Sequence, residues 1–376
     1  MVSAPPAEDT LAIRVPRQFR RIDEDPLQLF TLKPLEDSRW DGFLASHPRA
    51  SAYHTREWLT ALRRTYGYEP IAFTTSAPGE ALRNAAVFCG IESWLTGKRL
   101  VSLPFSDHCD PLFDSGNEMN SLLTSLEAEL QRQHFRYIEI RSTNSLVAPA
   151  NPEARETYCE HSIDLDGDID TLFKNCHKSS TQRKIRRAKR ERLGYAAGQS
   201  PELLESFFRL LLITRRRHRI PPQPRRWFQA LIDEFGPALK IRVAYKDALP
   251  LAAILTIRHK QTLLYKYGCS DARYHSLGGM QMLLWEAIRD GKQEGLHSLD
   301  LGRSEWDNTG LITFKDRWGA RRSMLNYIRL LSPEHHSRDF VSDRGDWKQR
   351  AAKRFVPYLP DFMLRSAGDL LYRHLG

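Results

Sequence analysis

Apolar residues recur along the chain in two rhythms, a helical period and short strand-like runs, and their alternation predicts an α/β (α+β) fold. Ser38–Ser46 and Thr55–Arg64 read as helices, the second capped by Thr55 with Trp58, Leu59 and Leu62 inside. Runs over 26–33, 68–75, 81–92 and 99–103 read as strands, followed by a helix over 117–133 and a strand over 135–141. Residues 142–155 show no period and carry Pro149 and Pro152, which marks a boundary. Beyond it come a strand at His161–Leu165 and one long basic helix over Ile169–Leu193, with Gly194 as its C-cap. Pro201–Thr214 and Trp227–Phe235 read as helices, and Lys240–Lys246 with Leu251–His259 as antiparallel strands. A strand at Thr262–Tyr267, a helix at Leu277–Asp290 with Met280, Leu283, Leu284 and Ile288 on one face, and a strand at Leu299–Leu301 follow. Arg322–Leu331 reads as a late strand, Pro333–Arg344 as a loop, and Asp346–Lys353 and Leu359–Leu375 as helices.

The order strand, turn, strand, polar loop, helix, strand occurs twice, at 86–142 and at 252–302. Ser106-Asp107 opens the polar loop in one copy and Ser270-Asp271 in the other. This echo predicts two tandem α/β units, each a mixed, mostly antiparallel sheet flanked by helices, with a groove between them; ordinary α/β rhythm is the competing reading. The expected division is a flexible leader over 1–26, a first unit over 27–150, a second unit over 151–335 carrying the main site, and a helical extension over 336–376.

The net charge of +10 suits a phosphorylated or polyanionic ligand, a nucleic acid or an acidic membrane face. The excess is concentrated over 174–192 and 215–226, so Lys184 and Arg187 are candidate phosphate contacts, a solvated helix face being the alternative. No apolar run reaches the roughly 18 residues of a membrane span. No recognised DNA-binding motif is present. The five cysteines are scattered, with no CxxC pair, which speaks against a disulfide scaffold or a structural zinc site and for the cytoplasm, with peripheral contact at the inner membrane face compatible.

Chemistry is densest over 263–316. Arg273, Ser276, Gly278 and Gly279 precede a helix N-terminus, where free N–H groups and a partial positive charge suit a phosphate. A second polar cluster, including Asp300, Arg303 and Lys315, follows the next strand. Asp107, His108, Cys109 and Asp110 form a compact polar loop. Adjacent side chains diverge, so this loop reads as hydrogen-bonded structure that lines a groove through Asp107 and His108, rather than as a metal site or a Cys-His nucleophile.

The turn Arg273-Tyr-His-Ser-Leu-Gly278 resembles the pyrophosphate loop of the acetyltransferase (GNAT) superfamily, with Ser276 in place of the first glycine. Across roughly 32–330 the chain is similar to the FemAB-like branch, the group that includes BioF2-like acetyltransferase domains and the peptidoglycan-bridge aminoacyltransferases. Tyr265-Lys-Tyr-Gly-Cys-Ser-Asp271, Asp300-Leu-Gly-Arg303, Gly310-Leu-Ile-Thr-Phe-Lys315, Trp318-Gly319 and the basic Ser180–Ala188 carry that similarity. The resemblance implies an acyltransferase that moves an acyl group from acyl-CoA to an amine or hydroxyl of a cell-envelope or polysaccharide precursor. An aminoacyl-tRNA donor is the first alternative, and a non-catalytic module binding a nucleotide-sugar or RNA the second. It also implies Lys315 as catalytic, with Asp300 and Arg303 orienting it or gripping phosphate, and Tyr267 and Asp271 lining the acceptor site. It implies no metal.

Overall fold

The computed structural model describes residues 27–94, 96–143, 155–332 and 359–375. Among these residues, twelve strands form one sheet in the order β1-β2-β3-β4-β5-β12-β6-β11-β10-β9-β8-β7. In its first half, β1 (Phe30–Leu32), β2 (Pro70–Thr74), β3 (Ala86–Ser93) and β4 (Gly97–Val101) are antiparallel neighbours. Helix α3 (Gly116–Arg132) then carries the chain to β5 (Tyr137–Ser142), parallel to β4. In the second half, β8 (Leu239–Lys246), β9 (Leu249–His259) and β10 (Thr262–Ser270) are antiparallel, and α8 (Gly279–Gln293) leads to β11 (Ser298–Ser304), parallel to β10. The sheet is therefore mixed and largely antiparallel, with the same strand–helix–strand crossover in each half.

The halves meet at β12 (Arg321–Leu331), which pairs with β5 on one side and with β6 (Arg155–Asp164) on the other. The last strand of the second half thus sits against the last strand of the first. β6 is twice the length its apolar run predicts, because His161 and Cys159 are buried between β11 and β12. The expected boundary at 142–155 and the elements expected over 333–358 fall largely outside the described residues.

Helices cover both faces. On one, α1 (Trp40–Ser46), α2 (Arg56–Tyr66), α6 (Pro201–His218) and α7 (Arg225–Phe235) bury Trp40, Trp58, Phe207 and Trp227 against β8–β10. Thr55 caps α2 by accepting from the Trp58 amide, which satisfies one of the four orphan N–H groups. Helix α10 (Asp361–Leu375) packs against the same core through Leu364. On the other face α8 buries Leu283, Leu284 and Ile288 with Trp318.

The single long basic helix expected over Ile169–Leu193 is interrupted. It divides into α4 (Ile169–Asn175), a π-turn over Lys178–Gln182 and α5 (Arg183–Arg190). The break has a hydrogen-bonding cause: the His177 amide and the Thr181 hydroxyl donate to the Arg317 carbonyl, and the Gln182 amide to the Cys176 carbonyl. Gly194 is not a cap; it opens the edge strand β7 (Gly194–Gly198), and Arg192 takes the left-handed conformation at φ 53°. Residues Thr309–Asp316, read only as a polar cluster, form helix α9, capped by Asn308.

Candidate active site

Parallel pairing of β10 with β11 is confined to Thr262–Leu264 against Ser298–Asp300, and the ladder of β11 with β6 is irregular between Asp300 and Arg303. The sheet opens at that point, and side chains from both halves of the chain fill the opening.

β10 carries a bulge at Lys266 and Tyr267, where two residues oppose Leu255. Lys266 consequently points into the opening. Its ammonium lies 2.9 Å from an Asp107 carboxylate oxygen and over the rings of Tyr53 and Trp58. The same oxygen accepts from the Tyr53 hydroxyl at 2.9 Å. Burial alone would raise the Asp107 carboxyl, but the charges of Lys266 and Arg303 and the hydrogen bonds hold it at about 2. Burial pushes Lys266 down, opposed by Asp107. Gly302 is required here: it has φ 68°, and a Cβ would stand 2.9 Å from Asp107.

His108, the next residue, reaches Asp300 from Nε2 at 3.3 Å and Glu160 at 3.6 Å, with Asp110 at 3.9 Å from Nδ1. Burial lowers its pKa, but the Asp300 hydrogen bond and the three carboxylate charges raise it to about 10. At neutral pH it is an imidazolium held among carboxylates. His108, Glu160 and Asp300 also offer one ligand atom each within 4.8 Å of one another, but an imidazolium has no lone pair to give, so a divalent cation would bind here only on loss of that proton.

Lys315 enters from α9. It is 3 % exposed, and its ammonium donates to the carbonyls of Gly302 at 2.7 Å and Arg303 at 2.9 Å. It is not the partly exposed, charge-paired lysine of an ordinary surface. The backbone of Arg303, not its side chain, orients it, and two of three N–H groups are used, leaving one for a ligand. Burial brings Lys315 down to about 8. The Arg303 guanidinium stacks on Tyr158 at 4.4 Å and Tyr327 at 5.0 Å, fixed as a cation facing Asp107.

The loop carrying Asp107 and His108 is held firmly. Leu103 and Phe105 take positive φ, which costs about 1–3 kcal/mol each. Against this, Arg141 donates to the Leu103 and Ser106 carbonyls, Tyr327 donates to the Asp107 carbonyl, and Asp110 accepts from Ser142 and Thr143. Glu139, held at about 2 because Arg141 and Arg329 outweigh its burial, orients Arg141 in turn. The loop also lies along β5 through a bridge between Cys109 and Arg141, so it fills the gap beyond the first parallel pair itself.

The structure therefore brings Lys315, Asp300, Arg303, Asp107 and His108 together. Other sequence candidates lie elsewhere. Tyr267 faces the apolar core, where its hydroxyl accepts from the Trp227 indole at 2.8 Å, and burial raises its pKa. Asp271 caps the 3₁₀ turn Ala272–Leu277 by accepting from the Arg273 amide, and it pairs with the Arg273 guanidinium at 2.6 Å. Arg273 itself is largely exposed, as is Ser276. Gly278 has φ 85°, and the Lys184 carbonyl oxygen on α5 would lie 2.4 Å from its Cβ. The glycine thus accommodates the chain's own backbone. Gly279 packs on Ala244 and Ala252. A cavity of about 190 Å³ lies beside this turn, lined by Lys184, Ser270, Tyr274, His275, Gln281 and Phe314 among others. Arg187 pairs with Glu191 at 3.4 Å.

Lys266, Tyr53 and Glu160 were missed by sequence reasoning. The bulge inverts the strand alternation that favours Tyr267, and no local signal marks Tyr53 or Glu160.

Residues 177–316 match the family model described as acetyltransferase (GNAT) domain. The structure of FemX superposes with a TM-score of 0.58 at 14% identity, covering 80% of this chain and 97% of that one. L-PGS from Bacillus licheniformis superposes at 0.52 and 13% identity, covering 86% and 98%. Curated proteins gave no match. The chain has a GNAT-superfamily fold. The GNAT domain match and this fold together support an acyltransferase-type enzyme. Among the described residues of this GNAT-fold chain, no helix is long and apolar enough to cross a membrane.

Proposed function

We propose that the chain is an aminoacyltransferase of tandem GNAT-like units, moving an aminoacyl group from an aminoacyl-tRNA to an amine or hydroxyl of a cell-envelope or lipid-linked precursor at the inner membrane face. The observation that carries the choice of donor is the approach of the Lys184 carbonyl to Gly278. A phosphate would need the open side of this glycine for close approach, and here the backbone of α5 occupies it. The adjoining cavity of about 190 Å³ is also below the roughly 300–1,000 Å³ of pockets that enclose drug-sized ligands. Both weigh against the acyl-CoA donor expected first. The flank of the cavity suits a longer polyanion: Arg183, Arg186, Lys189 and Arg190 are exposed on α5, and Arg217 lies within 3.5 Å of His275 at the same turn. The resemblance of the chain to the FemAB-like branch, with the fold it shares with FemX, supports the same reading.

The repeated crossover, β3-β4-α3-β5 and β9-β10-α8-β11, supports the tandem reading. The second unit supplies Lys266, Asp300, Arg303 and Lys315, and the first supplies Asp107 and His108. The donor is an ester, already activated, so the site acts by alignment and electrostatics. The remaining N–H of Lys315 and the imidazolium of His108 stabilise the oxyanion as the acceptor attacks the acyl carbon; the ester C–O bond then breaks, and the tRNA ribose oxygen leaves with the proton that the acceptor gives up. The carboxylates of Asp107, Asp300 and Glu160 hold these cations in place and attract an acceptor amine.

The test is binding of a charged tRNA pool, uncharged tRNA and acetyl-CoA to the purified chain across a salt series. Preference for charged tRNA, with affinity falling steeply with salt, is the expected result. Saturable acetyl-CoA binding with weak salt dependence would restore the acyl-CoA reading, and binding of neither would favour a non-catalytic module.

A further inference from the structure

Helix α10 is pinned to the body along one side. Leu364 is fully buried, and a Cβ on Gly368 would strike the Pro222 carbonyl at 2.1 Å, so the helix lies tight against the chain. Its C-terminal carbonyls are held as well: Tyr68 donates to those of Tyr372 and Arg373, and Thr96 and Arg99 to that of His374. The opposite side exposes large apolar groups among Ser366, Asp369 and Arg373. Phe362 is 68 % exposed, Leu370 58 % and Met363 44 %. The stripe continues onto a second element. Trp94, at the tip of the β3–β4 hairpin, is 83 % exposed and stands 5.8 Å from the His374 ring. Phe362 to His374 spans about 18 Å of helix at 1.5 Å per residue.

We infer that Trp94 and the outer face of α10 form a docking surface for an anionic phospholipid bilayer. Isolated exposed apolar residues are ordinary, but a Phe, Leu and Met group on a rigid helix with a Trp on the hairpin beside its end marks an interaction face. Trp and Phe beside arginine are the composition of interfacial anchors, and the exposed Arg373 lies along this stripe, whereas Arg365 turns inward over Phe208. Asp361 is neutralised by Arg216 at 2.6 Å and Glu92 is paired with Lys98 at 3.5 Å. The chain behind the surface carries a net charge of +10, complementary to an anionic leaflet. The inner side of the same helix touches the active-site loop: Tyr372 packs on Phe105 at 5.7 Å, two residues from Asp107. A chain seated this way keeps its active-site loop close to the bilayer, which deepens the proposed reading of a membrane-borne acceptor.

The test is co-sedimentation of the full chain with vesicles of phosphatidylcholine alone and of phosphatidylcholine with phosphatidylglycerol. The chain is expected to bind the anionic vesicles, more weakly as salt rises, and not the neutral ones. The triple variant Trp94→Ser, Phe362→Ser, Leu370→Ser is expected to lose about 100-fold in affinity. All three side chains are exposed, so its circular dichroism and thermal midpoint should match the unaltered chain. Absence of binding by the unaltered chain overturns the inference, as does equal binding by the variant. A concentration-dependent dimer in sedimentation velocity, abolished by the same substitutions, also overturns it and assigns the face to a second copy. None of these readouts needs turnover: vesicle binding without tRNA binding refutes the proposed donor alone, and tRNA binding without vesicle binding refutes this surface alone.

Discussion

The two parallel strand pairs differ in what lies beyond them. After β4 and β5 part, the loop over 102–114 folds back into its own gap, bridged to β5 at Cys109, and sends Asp107 and His108 onward to the second pair. After β10 and β11 part, the corresponding loop closes into a short 3₁₀ turn, capped by Asp271 and backed by Lys184, and the gap is left to polar side chains. One loop carries two positive-φ residues and a buried ion network, whereas the other is a capped turn with an exposed arginine. Equivalent positions in a repeated topology therefore hold different chemistry, and tertiary placement decides which loop reaches the site.

The comparison can be broken most sharply at Lys315. Replacing it with alanine removes the N–H left for a ligand; turnover should fall about 10²–10³-fold, with tRNA binding little changed in a filter assay. Next is Asp107→Ala, which leaves the buried Lys266 ammonium unpaired. Losing one partner of a buried pair costs about 3–5 kcal/mol; Asp107 keeps some exposure, so the lower end is expected in urea unfolding, together with lost turnover.

A third test is the pH profile. Lys315 stands at about 8, so its ammonium persists below that pH and is lost above it. The transfer rate should fall as pH rises through about 8, and Lys315→Arg, whose charge does not titrate there, should remove that limb. The stability linkage has its own sign. The native state binds this proton less tightly than the unfolded chain, so burying the charge costs stability below 8, and that cost is relieved between 8 and the ordinary lysine value of 10.5. The smallest effect is expected from Arg273→Ala on the other loop. With its side chain 73 % exposed, stability should move by about 0.5 kcal/mol or less and turnover should hold.

Much of the fold is legible in the sequence because periodicity reports burial directly. Trp58, Leu59 and Leu62 on α2, and Leu283, Leu284 and Ile288 on α8, are buried as their spacing requires. What misleads is anything set by distant contacts. The basic helix breaks because its hydrogen bonds go to Arg317, 136 residues from Thr181. Gly278 carries the sequence mark of a phosphate turn, yet its freedom is used against Lys184. Lys315, Asp300 and Arg303 are found from local motifs because one strand and one helix present them. Tyr53, Lys266 and Glu160 join them only through the sheet opening, a bulge and a register that no local pattern encodes.

The most direct measurement is the rate of label transfer from a charged tRNA pool into a membrane fraction by Asp107→Asn and Asp271→Asn, the two equivalent loop aspartates. A loss of about 100-fold or more is expected for Asp107→Asn, where the charge holds Lys266 in the site. For Asp271→Asn a rate within about threefold of the unaltered chain is expected, since asparagine caps a turn nearly as well. A rate that survives in Asp107→Asn and collapses in Asp271→Asn would contradict the account and return the chemistry to the second loop.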